Sequence, residues 1–219
     1  PVTAAMTPGR VLVAALSLAA LLAIAFLVFR PGLDGPFLFD DYATLPALGA
    51  MGGVDSAAEL LRYLRSGVSG PGGRPLSLAS FLLDDAGWPS SPAAFKHTSL
   101  LLHLLAGMLV LWLVLLLERD VLAGPPRRAF AVAALATGFW LLNPAFAGTV
   151  FYVVQRMSIL AALCVLAGLV AWTRGRCRLV EHRRGALVTM SLALVLGTGF
   201  GVAAKENAIL LPLLAGVLE

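Results

Sequence analysis

The sequence predicts an all-α, polytopic membrane protein. Three observations predict it: a 59% hydrophobic composition with only 13% charged residues, a mean hydropathy of +0.90, and apolar runs of spanning length. A soluble domain of 219 residues needs far more polar surface to cover its core. A bilayer suits this composition, because about 17–25 apolar residues cross a hydrocarbon core of roughly 30 Å.

Five such runs follow one another, over 11–29, 99–117, 129–147, 157–173 and 186–203. A sixth begins at Ala208 and stops at Glu219, too short to cross. The expectation is about six transmembrane helices in a single domain over 1–219, the N-terminal part of a larger protein. Arg10 ahead of the first run would suit a signal peptide. The uninterrupted length of that run, with no small-x-small site before Arg30, favours an uncleaved anchor.

The net charge of +4 matters less than its placement. With the N-terminus in the cytoplasm, the inside segments 1–10, 118–128 and 174–185 hold nine of the sixteen basic residues in about 33 positions. The other seven are spread over about 87 positions of outside loop. The positive-inside rule selects this topology, and the arginine clusters need no nucleic acid to explain them. Arginine-rich, Ala-, Gly- and Leu-rich usage suggests a bacterial source, hence the cytoplasmic (inner) membrane.

The 30–98 connection, on the extracytoplasmic side, carries structure of its own. Ser56-x-x-Glu59 is a capping-box start for a helix through Arg65, with Leu60, Leu61 and Leu64 clustered on one side. A Gly-rich break follows, then RPLSLASFLLDD, where Pro75 suits a first helical turn. Both read as short amphipathic helices at the membrane surface, or as a small packed hairpin. Asp84-Asp85 reads as a helix end or solvated turn.

Cys164 in a span and Cys177 in an inside loop do not suggest a pair or a metal site. His97 and His103 are six apart, about 240° around a helix, so they do not share a face. His103 reads as an interhelical hydrogen-bonding group. No Walker loop, GxSxG, HExxH or CxxC pattern occurs. No cofactor is expected, and a divalent metal is not indicated.

Three constellations on the outside carry chemistry. Asp40-Asp41 follows the apolar Phe37-Leu38-Phe39, where low-dielectric surroundings raise a carboxyl pKa and suit a general base. An ordinary turn or cap is an equal reading. Gln155-Arg156 lies where a helix re-enters the membrane, and its guanidinium either snorkels to lipid phosphate or holds a specific anion. Lys205-Glu206-Asn207 separates two apolar segments at the boundary, where ionisable residues are costly unless paired or functional.

In order along the chain stand FDD after the first span, GRPLSLASFLLD before the second, FKHTSLLLHLLAGMLV, LLNPAFAGTVFYVVQRMSILAAL and AAKENAILLPLL. Together, over about residues 11–219, these segments resemble the N-terminal half of a GT-C superfamily glycosyltransferase. The likeness is to protein O-mannosyltransferases and the tetratricopeptide-repeat transmembrane O-mannosyltransferases. Asn143 stands where many relatives have His, and Gly148 where an acid or Gln is common. The resemblance implies transfer of a sugar from a polyprenyl-phosphate donor to a protein or glycan hydroxyl at the outer face, among membrane lipids. It implies that Asp40 or Asp41 is the catalytic base, without deciding between them. Arg156, Gln155, Lys205, Glu206 and Arg74 would then bind substrate, with Arg156 and Lys205 on the departing phosphate. The competing reading is a non-catalytic scaffold or a subunit of a polysaccharide polymerase or exporter.

Overall fold

The computed structural model describes residues 8–50 and 52–219, with side chains described from Leu12 onward. The elements are α1 (Pro8–Phe29), α2 (Asp41–Thr44), α3 (Ala57–Arg65), α4 (Pro75–Phe81) and α5 (Pro92–Leu116). They continue with α6 (Pro126–Leu141), α7 (Ala147–Phe151), α8 (Arg156–Cys177), α9 (Arg183–Ala204) and α10 (Leu211–Val217). Among the described residues there is no strand, and the fold is all-α and polytopic.

Four segments are long and apolar enough to cross a membrane: Leu12–Gly32, Pro92–Val121, Val153–Cys177 and Arg183–Ala204. The expected 129–147 span is broken into Pro126–Leu141 and Pro144–Phe151, which meet at 44° and count as a fifth crossing only if joined. The break has a local cause. Pro144 cannot donate into a continuing helix, and the Asn143 side chain instead caps the next turn by accepting from the Ala145 N–H at 3.0 Å. Glu206–Val217 is apolar but short.

The helices expose large apolar side chains outward, among them Phe139 at 79% and Val195 at 68%. In water such a surface would aggregate; in hydrocarbon it is ordinary. Contacts between helices are close where residues are small. A methyl at Gly107 would fall 2.4 Å from Leu141, which seats α5 on α6. His103 Nε2 lies 3.2 Å from the Leu141 carbonyl across the same seam.

Two contacts set the direction of the bundle. Arg156, opening α8, reaches the Phe95 carbonyl near the start of α5, and Arg174, near the end of α8, lies over Trp112 near the end of α5. The two helices are therefore parallel. The loop 33–91, the segment 142–155 and the turn 205–210 gather at one end, and the turns 117–125 and 178–182, with the arginines of the helix ends that flank them, at the other.

The long loop folds onto its end of the bundle. Phe37, Leu45, Leu48, Tyr63, Leu78 and Phe81 bury together against Phe95 and Val153. The capping box forms: Ser56 accepts from the Glu59 N–H at 3.2 Å, and Glu59 accepts from the Asp55 N–H at 3.0 Å. Helix α4 is not a free interfacial helix. Ser77, Leu78, Ser80 and Phe81 are buried, and Ser77 donates to the Ala204 carbonyl at 3.0 Å, which pins α4 on the end of α9.

Candidate functional site at the loop-covered end

The Asp40-Asp41 pair sits on a tight turn that turns the two carboxylates opposite ways. Phe39 takes a left-handed backbone (φ 42°), a conformation that costs a non-glycine residue roughly 1–2 kcal/mol. What holds it there is Asp41. Its side chain is wholly buried and accepts from three backbone N–H groups: Leu38 at 2.9 Å, Val154 at 2.8 Å and Val153 at 3.3 Å. Burial pushes the Asp41 carboxyl above the usual carboxylate range, opposed by those three N–H groups and by the nearby Lys96 charge. Lys96, also buried, donates to the carbonyls of Gly35 and Pro36 at 2.7 and 2.8 Å and fixes the entry to the turn.

Asp40 points the other way and is exposed. Its N–H donates to the Tyr152 hydroxyl at 3.1 Å, and the Phe39 ring meets the Tyr152 ring at 6.0 Å. Of the two acids, only Asp40 has a side chain reachable from outside.

A second cluster forms where the Gly-rich loop meets the end of α9. Arg74 is left-handed (φ 54°) and forks onto Glu206, Nε to Oε1 at 3.1 Å and Nη2 to Oε2 at 2.8 Å, with Met157 sulfur against Nη1. Gly70 closes over this pair. Its φ is +74°, and a Cβ there would fall 2.0 Å from Glu206 Oε1, so only glycine lets the loop approach. The Arg74 hydrogen bonds hold the Glu206 carboxyl below its usual range.

Lys205 leaves the helix in an extended conformation and donates to Ser158 Oγ at 2.7 Å, which donates to Gln155 Oε1 at 3.0 Å. Burial, then the Arg74 charge, lowers the Lys205 pKa; Glu206 opposes them. An ammonium carries three donors, and one is used among the described residues. Arg74, Glu206, Lys205 and Gln155 are thus brought together.

Arg156 is placed elsewhere. It is fully buried: Nη1 lies 2.6 Å from Asp84 and donates to the Ser80 carbonyl at 2.8 Å, Nη2 to Phe95 O at 2.6 Å, and Nε to Ser99 Oγ at 3.1 Å. The Phe81 and Phe95 rings flank it at 5.1 and 5.7 Å. Such a guanidinium neither snorkels to lipid nor reaches a departing phosphate. Asp84, read above as a helix end or solvated turn, has a side chain only 2% exposed and is the buried partner of Arg156.

The residues 152–158 tie everything together: Tyr152 touches Asp40, Val153 and Val154 hold Asp41, Ser158 takes Lys205 and is itself held by Gln155, Arg156 takes Asp84, and Met157 backs Arg74. Sequence reasoning missed Tyr152, Ser158, Lys96 and Gly70. Ser158 had a usable signal, one helical turn after Gln155 on the same face. Lys96, an ionisable residue at the head of an apolar run, had another. Among the described residues no group of three or more His, Cys, Asp or Glu side chains is arranged to hold a metal ion.

The chain is 30% identical over 205 residues to the protein O-mannosyl-transferase Tmtc1 of Drosophila melanogaster, over 90% of this chain and 22% of that protein. The chain thus spans about a fifth of that relative's length. The likeness is a distant one, to part of a protein O-mannosyl-transferase. No protein-family model and no solved structure matches the chain.

Proposed function

We propose that this chain forms the sugar-transfer end of a membrane glycosyltransferase that moves a sugar from a polyprenyl-phosphate donor to a protein or glycan hydroxyl. The observation that carries the reading is the meeting, on residues 152–158, of an outward carboxylate and a partly buried basic cluster. With the arginine-rich segments 118–128 and 174–185 in the cytoplasm, that end faces outward, which in a bacterium is the outer side of the inner membrane.

Asp40 takes the proton of the acceptor hydroxyl while that oxygen attacks the anomeric carbon. The bond from this carbon to the phosphate oxygen breaks with inversion, and the polyprenyl phosphate leaves with the electron pair. The charge that grows on the leaving phosphate meets Lys205, whose remaining N–H donors are free to turn to it, and the flank of Arg74. Glu206 and Gln155 position these cations. Asp41 does not touch substrate in this scheme; with both oxygens on backbone N–H groups, it shapes the turn that presents Asp40. Arg156 braces the segment from within.

The test is sugar release from a radiolabelled polyprenyl-phosphate sugar by the intact protein in membranes, with wild type beside Asp40→Asn and Lys205→Met. Release lost in both variants at normal expression supports the assignment. Full release by Asp40→Asn removes Asp40 as the base. No release by wild type across several donors moves the reading to a scaffold or exporter subunit.

A further inference from the structure

The other end of the bundle carries a feature that sugar transfer does not use. Two cavities lie along α8 and α9. One, about 450 Å³, is lined by Ala171, Arg174, Arg178, His182, Gly185 and Thr189, with Trp112 at its side. The other, about 600 Å³, is lined by Cys164, Gly168, Leu192, Leu196 and Phe200. They share Ala167, Ala171 and Thr189. On α8 the lining positions 164, 167, 171 and 174 step by three or four, as do 185, 189, 192, 196 and 200 on α9, with Arg178 and His182 in the turn that joins the two helices. Each set is one helix face, so the two cavities form one continuous groove. From Gly185 to Phe200 the rise is about 22 Å, more than the roughly 15 Å of one leaflet's hydrocarbon.

The groove is polar at one end only. At its basic mouth the Arg174 guanidinium lies 5.2 Å from the Trp112 ring, and Arg178 and His182 stand beside it. Neither Arg174 nor Arg178 forms an ion pair among the described residues, whereas their neighbour Arg176 is paired with Glu219, and Arg128 with Glu118. No carboxylate lines either cavity. Beyond Thr189 the lining is almost wholly apolar.

We propose that this groove binds one anionic phospholipid of the leaflet at the basic end, with its phosphodiester at Arg174 and Arg178 and an acyl chain along the trough past Thr189. Charge complementarity selects an anionic headgroup, because two arginines at a membrane-spanning helix end form no ion pair among the described residues. The apolar trough selects a chain attached to that headgroup, since a free phosphate leaves it empty. The site is independent of the sugar-transfer reading.

The test is native mass spectrometry of the intact protein, titrated with phosphatidylglycerol or with phosphatidylcholine of the same chains. One phosphatidylglycerol should be retained, and phosphatidylcholine far less. Arg174→Gln with Arg178→Gln should weaken retention about fivefold per arginine, roughly 25-fold together. Thr189→Trp fills the exposed junction of the two cavities and should also expel the lipid with both arginines intact. Size-exclusion profiles identify variants that fold. Equal retention of the two lipids overturns the proposal, as does undiminished phosphatidylglycerol in either variant. Displacement by inorganic phosphate that Thr189→Trp does not alter marks a bare anion site and overturns the groove. No retained lipid on wild type also overturns it, and means that another part of the protein covers this face.

Discussion

Replacing Arg156 with Met separates a structural role for this arginine from a phosphate-binding one. The substitution leaves the Asp84 side chain buried at 2% exposure without its counter-ion, and strips hydrogen-bond donors from Ser99, Ser80 and Phe95. Removing one partner of a buried ion pair costs about 3–5 kcal/mol. At about 2–4 °C per kcal/mol for a chain of this size, Tm should fall by roughly 6–20 °C. The assay is thermal unfolding of the detergent-solubilised protein, followed by tryptophan fluorescence. Asp84→Leu combined with Arg156→Met removes both charges and should recover most of the loss, because an apolar pair of similar volume is often neutral or stabilising. The double-mutant cycle then gives a coupling of several kcal/mol. Arg156→Met with a wild-type Tm but much reduced sugar release would refute this argument and return Arg156 to the substrate phosphate.

Asp41→Asn should lower stability by about 1–3 kcal/mol, because an amide cannot accept all three backbone N–H groups and brings its own donor against them. Asp40→Asn should leave stability unchanged within about 0.5 kcal/mol and abolish sugar release; the reverse pattern in paired melts and release assays would make Asp41 the base. Gly70→Ala places its Cβ on Glu206, so the Arg74 fork must open, and the KM for the lipid donor should rise while the fold persists. Lys205 holds its proton less tightly folded than unfolded, so between its folded pKa and 10.5 the native state binds fewer protons. Its contribution to stability therefore rises with pH across that window. Sugar release, in which the proposed mechanism uses the ammonium, should fall across the same window, and Lys205→Arg should abolish that alkaline limb in a pH–rate profile.

The spans were legible because the bilayer imposes a length and a composition that single residues cannot hide. The break in the third apolar run was also written locally, in Asn143-Pro144. The roles of the charged residues were not. Lys205 and Arg156 look alike in sequence, each basic and each at a membrane boundary. What separates them is an acid, Asp84, that lies 72 positions before Arg156 and meets it only once the long loop folds back onto α5 and α8. Asp40 and Asp41 are a harder case, since adjacent residues share every local property. Only the left-handed Phe39 turn and the N–H groups of Val153 and Val154 send one inward and the other out.

That division of labour follows from how the chain enters α8. Residues 153–155 form a tight turn rather than a regular helix, so successive N–H groups and side chains fan out instead of repeating every 3.6 residues. Val153 and Val154 give N–H groups to Asp41 because helix-start donors have no carbonyl of their own to use. Gln155 and Ser158, one turn apart, form the face that Lys205 reaches, while Arg156 points into the protein. The carboxylate turn and the basic cluster share no direct hydrogen bond or ion pair among the described residues. Their spacing is set by this one segment and by the Asp84–Arg156 pair that anchors it. Under the proposed sugar transfer the anchor acts without touching substrate, and its loss should lower Tm and sugar release together.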